Sequence, residues 1–304
     1  MLTLFATPRA FRGHIGIIQR NAIRSWTYLR PDCELMLFGD DAGTAEVAGE
    51  FNIRHVPDVK RNAYGTPLLN ELFDAAEKAA RYPLLCYVNA DLILMADFLP
   101  AIRRVVGLKP RCLMICQRWD VTLDEELDFH PGWDREIKAY VARTGRPGSH
   151  TEVDCFVFPR GLWRNIPPFA LGRGLWDNWL IYGARASDSP VIDLSHVVLA
   201  VHQDHDYSHQ PHVMNSKADV WSTEEAKHNR VLGGGYAYAF SAKDATHILT
   251  RQSLKRNIIP YHLYRKLAML SVTHPFLTPL VDLVRFVYQR YPAVGRALLL
   301  WRVK

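Results

Sequence analysis

Apolar and polar positions along most of this chain follow two alternating periods, and their order sets the expected architecture. Short apolar runs at residues 2–6, 34–38, 53–56, 84–88, 113–116, 154–158 and 197–201 read as strands. Between the first two, Ile15, Ile18, Ala22, Trp26 and Leu29 recur at helical spacing. A second helix is expected over residues 66–81, with Thr66 as N-cap, Pro67 in its first turn, and Leu68, Leu69, Leu72, Phe73, Ala76 and Ala80 turned inward. A third is expected over residues 176–185, opened by the glycine-containing loop Gly172-Arg173-Gly174-Leu175. Strand and helix in alternation predict an α/β, Rossmann-like fold with a mostly parallel central sheet flanked by helices.

The chain has 304 residues, of which 48% are hydrophobic, enough for one large domain and an appendage. Its formal charge of +6 is concentrated at one end: residues 255–304 hold nine Lys or Arg and one acid, Asp282, so the rest is mildly acidic. A mildly acidic body argues against nucleic acid as partner. The tail, residues 254–304, reads as a basic amphipathic helical extension. Leu280, Val284, Val287, Tyr288 and Tyr291 share one helical face, away from Asp282, Arg285 and Gln289, and Leu298-Leu299-Leu300-Trp301 follows. That face either packs on the body or on a second copy, or lies on an anionic membrane. No apolar run reaches the roughly 18 residues of a span, and the N-terminus lacks a basic leader, so the expected location is cytoplasmic, with peripheral attachment to the inner membrane face if the tail binds lipid. Five cysteines, Cys33, Cys86, Cys112, Cys116 and Cys155, lie in apolar surroundings and read as reduced thiols.

The triplet Asn89-Ala90-Asp91 puts a carboxylate where the apolar run 84–88 stops. Ligands of open α/β sheets bind beyond the carboxyl ends of strands, and an acid there either holds a divalent cation or forms a turn. The segment His202-Gln203-Asp204-His205 follows the last strand, with His209 and His212 beyond it, so a cation ligand, a zinc site and a set of surface hydrogen-bonding groups all fit the spacing.

With Ala6-Thr7-Pro8 after the first strand, Asn89-Ala90-Asp91, the segment Trp176-Asp177-Asn178-Trp179-Leu180 and the late His-rich strand end, the chain resembles glycosyltransferases of the GT-A fold, the nucleotide-diphospho-sugar transferase superfamily, over roughly residues 1–230. The resemblance implies a catalytic domain over 1–253, with a nucleotide-sugar half to about residue 120 and an acceptor half after it. It implies a Mn2+ or Mg2+ cofactor held by Asp91 and by His202, with His205 as fallback. It assigns the nucleotide-sugar donor, a UDP-sugar in preference, to Thr7, Pro8, Arg9, Asp40, Arg61, Asn62, Asn89, Ala90 and Asp91. Asn89 stands where the family's two-acid motif has an acid, so another ligand is needed. In inverting members an acid at the position of Asp177 takes the acceptor proton; by spacing alone Asp177 is equally a helix cap. Trp176, Trp179 and Arg173 are expected at a glycan, lipid-linked or small hydroxyl acceptor, the tryptophans equally serving as core. Arg20 is a further candidate for the diphosphate, Asp40 doubles as a turn residue, and Gly233-Gly234-Gly235 reads as a linker or a lid. Two other classes remain. One is a nucleotidyltransferase or metal-dependent hydrolase on a similar sheet, disfavoured because Ala6-Thr7-Pro8-Arg9 is not glycine-rich; the other is a noncatalytic scaffold that binds sugar nucleotide or glycan.

Overall fold

The computed structural model describes residues 1–205, 222–235, 239–258, 262, 265, 267 and 275–290, with residues 275, 285 and 287–290 described by their backbone. The elements that build the sheet are β1 (Leu2–Ala6), α1 (Gly13–Thr27), β2 (Cys33–Phe38), α2 (Thr44–Glu50), β3 (Arg54–Val56), α3 (Leu69–Ala79), β4 (Leu84–Val88), β5 (Leu92–Ile93), α4 (Phe98–Val106), β6 (Leu113–Val121), α5 (Trp133–Thr144), β7 (Arg146–Pro147), β8 (Val153–Pro159), α6 (Trp176–Ala186), β9 (Val191–Asp193), β10 (Ala200–Gln203), α7 (Glu224–Leu232), β11 (His247–Leu249), β12 (Leu254–Arg256) and α8 (Thr278–Arg290). The strands run in the order β12-β11-β9-β6-β8-β4-β1-β2-β3. β1 is parallel to β2 and β4, and β9 to β6 and β11; β8 runs antiparallel between β4 and β6. A mostly parallel sheet flanked by helices is therefore what the chain forms.

Alternation along each strand feeds two cores. Leu2, Leu4 and Ala6 of β1 face a layer with Ile23 and Trp26 of α1, Phe98 and Ile102 of α4, and Ile137 and Val141 of α5. Phe5 faces the opposite layer, with Leu72 and Phe73 of α3 and Leu180 and Ile181 of α6. Burial on both faces is what makes these strands read as continuous apolar runs.

Boundaries differ from expectation at three places that bear on the site, the first being β6, which runs on to Val121 past the apolar run at 113–116. α3 begins at Leu69, since Pro67 and Leu68 are extended and pair with Arg61 and Ala170. Thr66 is thus no cap; its N–H donates to Asn62 Oδ1. β10 begins at Ala200, three residues later than the apolar run, and pairs with both β5 and β6, so His202 lies within the strand.

The pairing of β6 with β8 shifts register between Cys116 and Gln117. Alternation changes phase there: Cys112, Met114 and Cys116 face the α4–α5 core, and so do Trp119 and Val121. Such an irregularity re-aims side chains, and here it turns Arg118 and Asp120 away from that core.

All five cysteines are buried and reduced, with Cys86 and Cys155 Sγ atoms 3.7 Å apart. Burial pushes the Cys33 and Cys112 thiols up to about 12. Among the described residues no helix is long and apolar enough to cross a membrane.

Candidate active site

Asn89, Ala90 and Asp91 follow β4 at its carboxyl end, and Asn89 is tied to β8. Its backbone N–H donates to Asp154 O at 3.0 Å, and its side-chain amide donates to Asp154 Oδ1 at 2.7 Å. The amide N–H is thereby engaged by a neighbouring acid, which Arg118 Nη1 also holds through Oδ2 at 2.8 Å.

Asp91 lies against β10. Its Oδ2 is 3.2 Å from His205 Nε2 and 3.8 Å from His202 Nε2, and its buried Oδ1 has no hydrogen-bond partner among the described residues. Burial would raise the carboxyl, yet the His202 charge, the His205 hydrogen bond and the Arg9 guanidinium outweigh it and hold Asp91 well below the usual range. Asp91, His202 and His205 present one oxygen and two nitrogens, all within 4.8 Å of one another. A buried carboxylate oxygen without a donor, beside two imidazoles, is a donor set that fits a divalent cation. Both histidines expected as alternatives are thus brought to the same acid.

Behind the cluster, His202 Nδ1 lies 3.0 Å from Asp120 Oδ1, and Arg118 Nε lies 2.9 Å from the same oxygen. Arg118 further pairs with Glu152 at 3.1 Å. Burial alone would lower the His202 imidazole, but Asp91 and Asp120 raise it. A carboxylate on the far ring nitrogen fixes which nitrogen faces the ligand. Asp204, which joins His202 and Asp120 in a second acidic grouping, is engaged elsewhere, with Arg146 at 2.8 Å and Thr122 at 3.1 Å.

Asp91 and His205 open onto a cleft of about 630 Å3 that also takes in Thr7, Pro8, Arg9, Arg61, Asn89, Ala90, Arg173 and Trp176. The loop after β1 is shaped by Gln19, whose Oε1 accepts from Arg9 N at 2.7 Å and whose Nε2 donates to Arg9 O at 2.9 Å. Arg61 is held by Asp40 at 2.9 Å and Asp41 at 2.7 Å, so Asp40 serves as its counter-charge and Asp41 is the acid at the cleft wall. Arg173 Nε donates to Glu225 Oε2 at 2.7 Å, and Asn62 Nδ2 donates to Glu225 Oε1 at 2.6 Å, which fastens α7 beside the cleft. Arg20 pairs with Glu50 at 2.6 Å and is not among the residues that line the cleft.

Gly172, Gly174 and Leu175 all have positive φ, at 70°, 76° and 64°, and this tight turn starts α6. Trp176 meets Tyr87 edge-on at 5.5 Å and lines the cleft, whereas Trp179 packs on Phe169 and Tyr182, away from the cleft lining. Between them, Asp177 is pushed up to about 7, by burial first and by the Asp154 charge, against backbone hydrogen bonds that favour its ionised form. Asp177 is therefore a first-turn acid whose proton comes off near neutral pH, the property a general base needs.

Arg118, Asp120, Asp154 and Glu225 were not singled out from sequence. The first two carry a readable signal: charges at two-residue spacing just after the apolar run 113–116. His209 and His212 lie outside the described residues.

No family model matches the chain, and no curated protein matches it. The chain is similar to solved glycosyltransferase structures. Staphylococcus aureus TarS, residues 1–349, in complex with UDP-GlcNAc, is 11% identical with a TM-score of 0.49, over 78% of this chain and 72% of that one. The mannosyltransferase PcManGT from Pyrobaculum calidifontis, in complex with GDP-Man and Mn2+, is 13% identical with a TM-score of 0.46, over 98% and 78%. Glucosyl-3-phosphoglycerate synthase from Mycobacterium tuberculosis, in complex with Mg2+ and UDP, is 12% identical with a TM-score of 0.39, over 67% and 72%.

Proposed function

We propose that this protein is a divalent-cation-dependent glycosyltransferase that moves a sugar from a nucleoside-diphosphate donor, a UDP-sugar in preference, to a hydroxyl of a glycan, lipid-linked or small acceptor, with inversion. The observation that carries the reading is the unpartnered, buried Asp91 Oδ1 beside His202 and His205 at the edge of the cleft. Those three residues would hold the cation, which when bound supplies positive charge for the departing diphosphate. Two imidazoles with one carboxylate suit Mn2+ better than Mg2+, whose preference is for oxygen.

This chain's residues divide the remaining work. Arg9, close enough to Asp91 to stabilise its charge, offers a cation to the phosphates, and Thr7, Pro8 and Arg61 line the donor end of the cleft. Trp176 covers the sugar and excludes water. Asp177 takes the proton of the attacking acceptor hydroxyl, for which a carboxyl near 7 is well matched.

The tail is assigned to an anionic membrane surface. Val281 is buried, but Phe276, Leu280, Leu283 and Phe286 are 75%, 45%, 58% and 60% exposed at spacings of four, three and three. They form an apolar stripe in a strongly basic segment.

The direct test is thermal stabilisation by UDP, GDP, CMP and dTDP with and without Mn2+. A Mn2+-dependent shift with one nucleotide, absent in Asp91→Ala, is expected. No shift with any of them in the wild type overturns the reading, and tight stoichiometric zinc moves the cluster to a structural role.

A further inference from the structure

A second cavity of about 630 Å3 lies on the other side of β6, and it shares no lining residue with the cleft. Its position follows from the phase change in β6. Arg118 and Asp120 turn toward the Asp91 cluster, whereas Trp119 between them turns to the α4–α5 layer and forms part of this cavity. The other walls are α4, α5, the segment leading into β10 and the β11–β12 turn.

Three permanent cations, Arg104, Lys138 and Arg251, line the cavity with one carboxylate, Asp97, and with His196. Arg104 Nη2 donates to Thr250 O at 2.8 Å and Arg251 O at 3.1 Å, which fixes the turn that carries Arg251. Lys138 Nζ lies 3.1 Å from Asp97 Oδ2. The other oxygen, Asp97 Oδ1, is buried and has no hydrogen-bond partner among the described residues. A buried acceptor in that state calls for a donor.

We propose that this cavity is a binding site for an acidic saccharide. The excess of cations selects an anion, and Asp97 Oδ1 selects a hydroxyl hydrogen, which sulfate lacks at neutral pH and which a sugar offers at several positions. The half-buried Trp119 ring, next to Val197 and Leu199, gives a flat apolar surface for a pyranose face. A sugar bearing a carboxylate meets all three demands at once. A neutral sugar leaves the cations unanswered, and an inorganic anion leaves the Trp119 ring unanswered. The site needs no nucleotide, so it stands or falls apart from the glycosyltransferase reading.

Trigalacturonic acid is the probe, with maltotriose as its neutral control and inorganic phosphate as its anionic one, each titrated into the full chain by calorimetry. Trigalacturonate is expected to bind about tenfold or more tighter than either control, and to weaken as salt rises. The surface pair Lys138→Gln and Arg251→Gln is expected to lower that affinity about tenfold while leaving nucleotide binding as in the wild type. Asp97→Asn, checked for an unchanged melting temperature, is expected to weaken trigalacturonate relative to phosphate. The proposal is overturned if trigalacturonate binds no better than phosphate, if millimolar trigalacturonate gives no heat with folded wild type, or if the double variant binds it as tightly as the wild type.

Discussion

Asp120 Oδ1 lies 3.0 Å from His202 Nδ1, and Arg118 holds the same oxygen at 2.9 Å, so an acid behind the cluster sets the orientation of the imidazole beside Asp91. Replacing Asp120 by Asn keeps the shape but changes which proton the ring nitrogen meets. Asp120→Asn is expected to weaken Mn2+ binding about 10- to 100-fold, read by calorimetry or by the Mn2+ concentration that half-saturates activity. The turnover at saturating Mn2+ should fall much less than the affinity.

Asp177 provides a separate handle on the chemistry. Asp177→Asn should leave nucleotide binding nearly intact and lower turnover about a hundredfold or more. Because the carboxyl is pushed up to about 7, the wild-type rate should rise with pH and reach half its plateau near there. The same shift bears on stability. The folded state holds a proton between pH 4 and 7 that the unfolded chain has lost, so this group's contribution to stability falls as pH rises through that window. Asp177→Asn should therefore melt higher than the wild type at pH 8, with the difference shrinking as pH falls and vanishing near pH 4. Equal melting temperatures at pH 8 would show that Asp177 titrates as an ordinary carboxyl.

Glu225 joins α7 to the cleft wall through Arg173 and Asn62. Burial favours its neutral form, but the hydrogen bonds from Asn62, Thr66 and Arg173 prevail and keep the carboxyl below its ordinary value. Glu225→Ala leaves the largely buried Arg173 guanidinium without this partner, a change that costs about 3 kcal/mol or more when a buried pair is broken. A lowered urea midpoint, with faster proteolysis within 223–235 than elsewhere, is the expected result. Glu225→Gln keeps the acceptor for Arg173 and should lose less.

The stripe on α8 predicts selective lipid binding. Full-length protein should sediment with vesicles rich in phosphatidylglycerol and not with pure phosphatidylcholine, and the double change Phe276→Glu and Leu283→Glu should release it while the nucleotide-dependent melting shift persists. Sedimentation unaffected by the double change would remove the stripe from the interface.

Layer and period were legible in the sequence because burial on both faces leaves uninterrupted apolar runs: residues 2–6 and 84–88 are the strands β1 and β4 without adjustment. Asp91 was legible for the same reason, since a charge that ends such a run lies at the carboxyl edge of the sheet. Asp177 was legible from its place in the first turn of α6. The strand at 197–201 misled, because Val197, Val198 and Leu199 are apolar in a segment that covers the α4–α5 layer before β10 begins. Thr66-Pro67 misled because a capping signal is local, while the bridge from Leu68 to Ala170 belongs to a loop a hundred residues away.

Alone, then, the sequence determined a helix-flanked sheet, an acid at the end of β4 and a basic tail, since each depends on neighbours within a few positions, and it marked His202 and His205 as candidates though not the strand that carries His202. Tertiary structure decided which partners those residues meet. Asp91 reaches His202 and His205 across more than a hundred residues because β10 inserts between β5 and β6. The faces of Arg118, Trp119 and Asp120 depend on one shift in pairing with β8, which moves every later side chain of β6 to the opposite face.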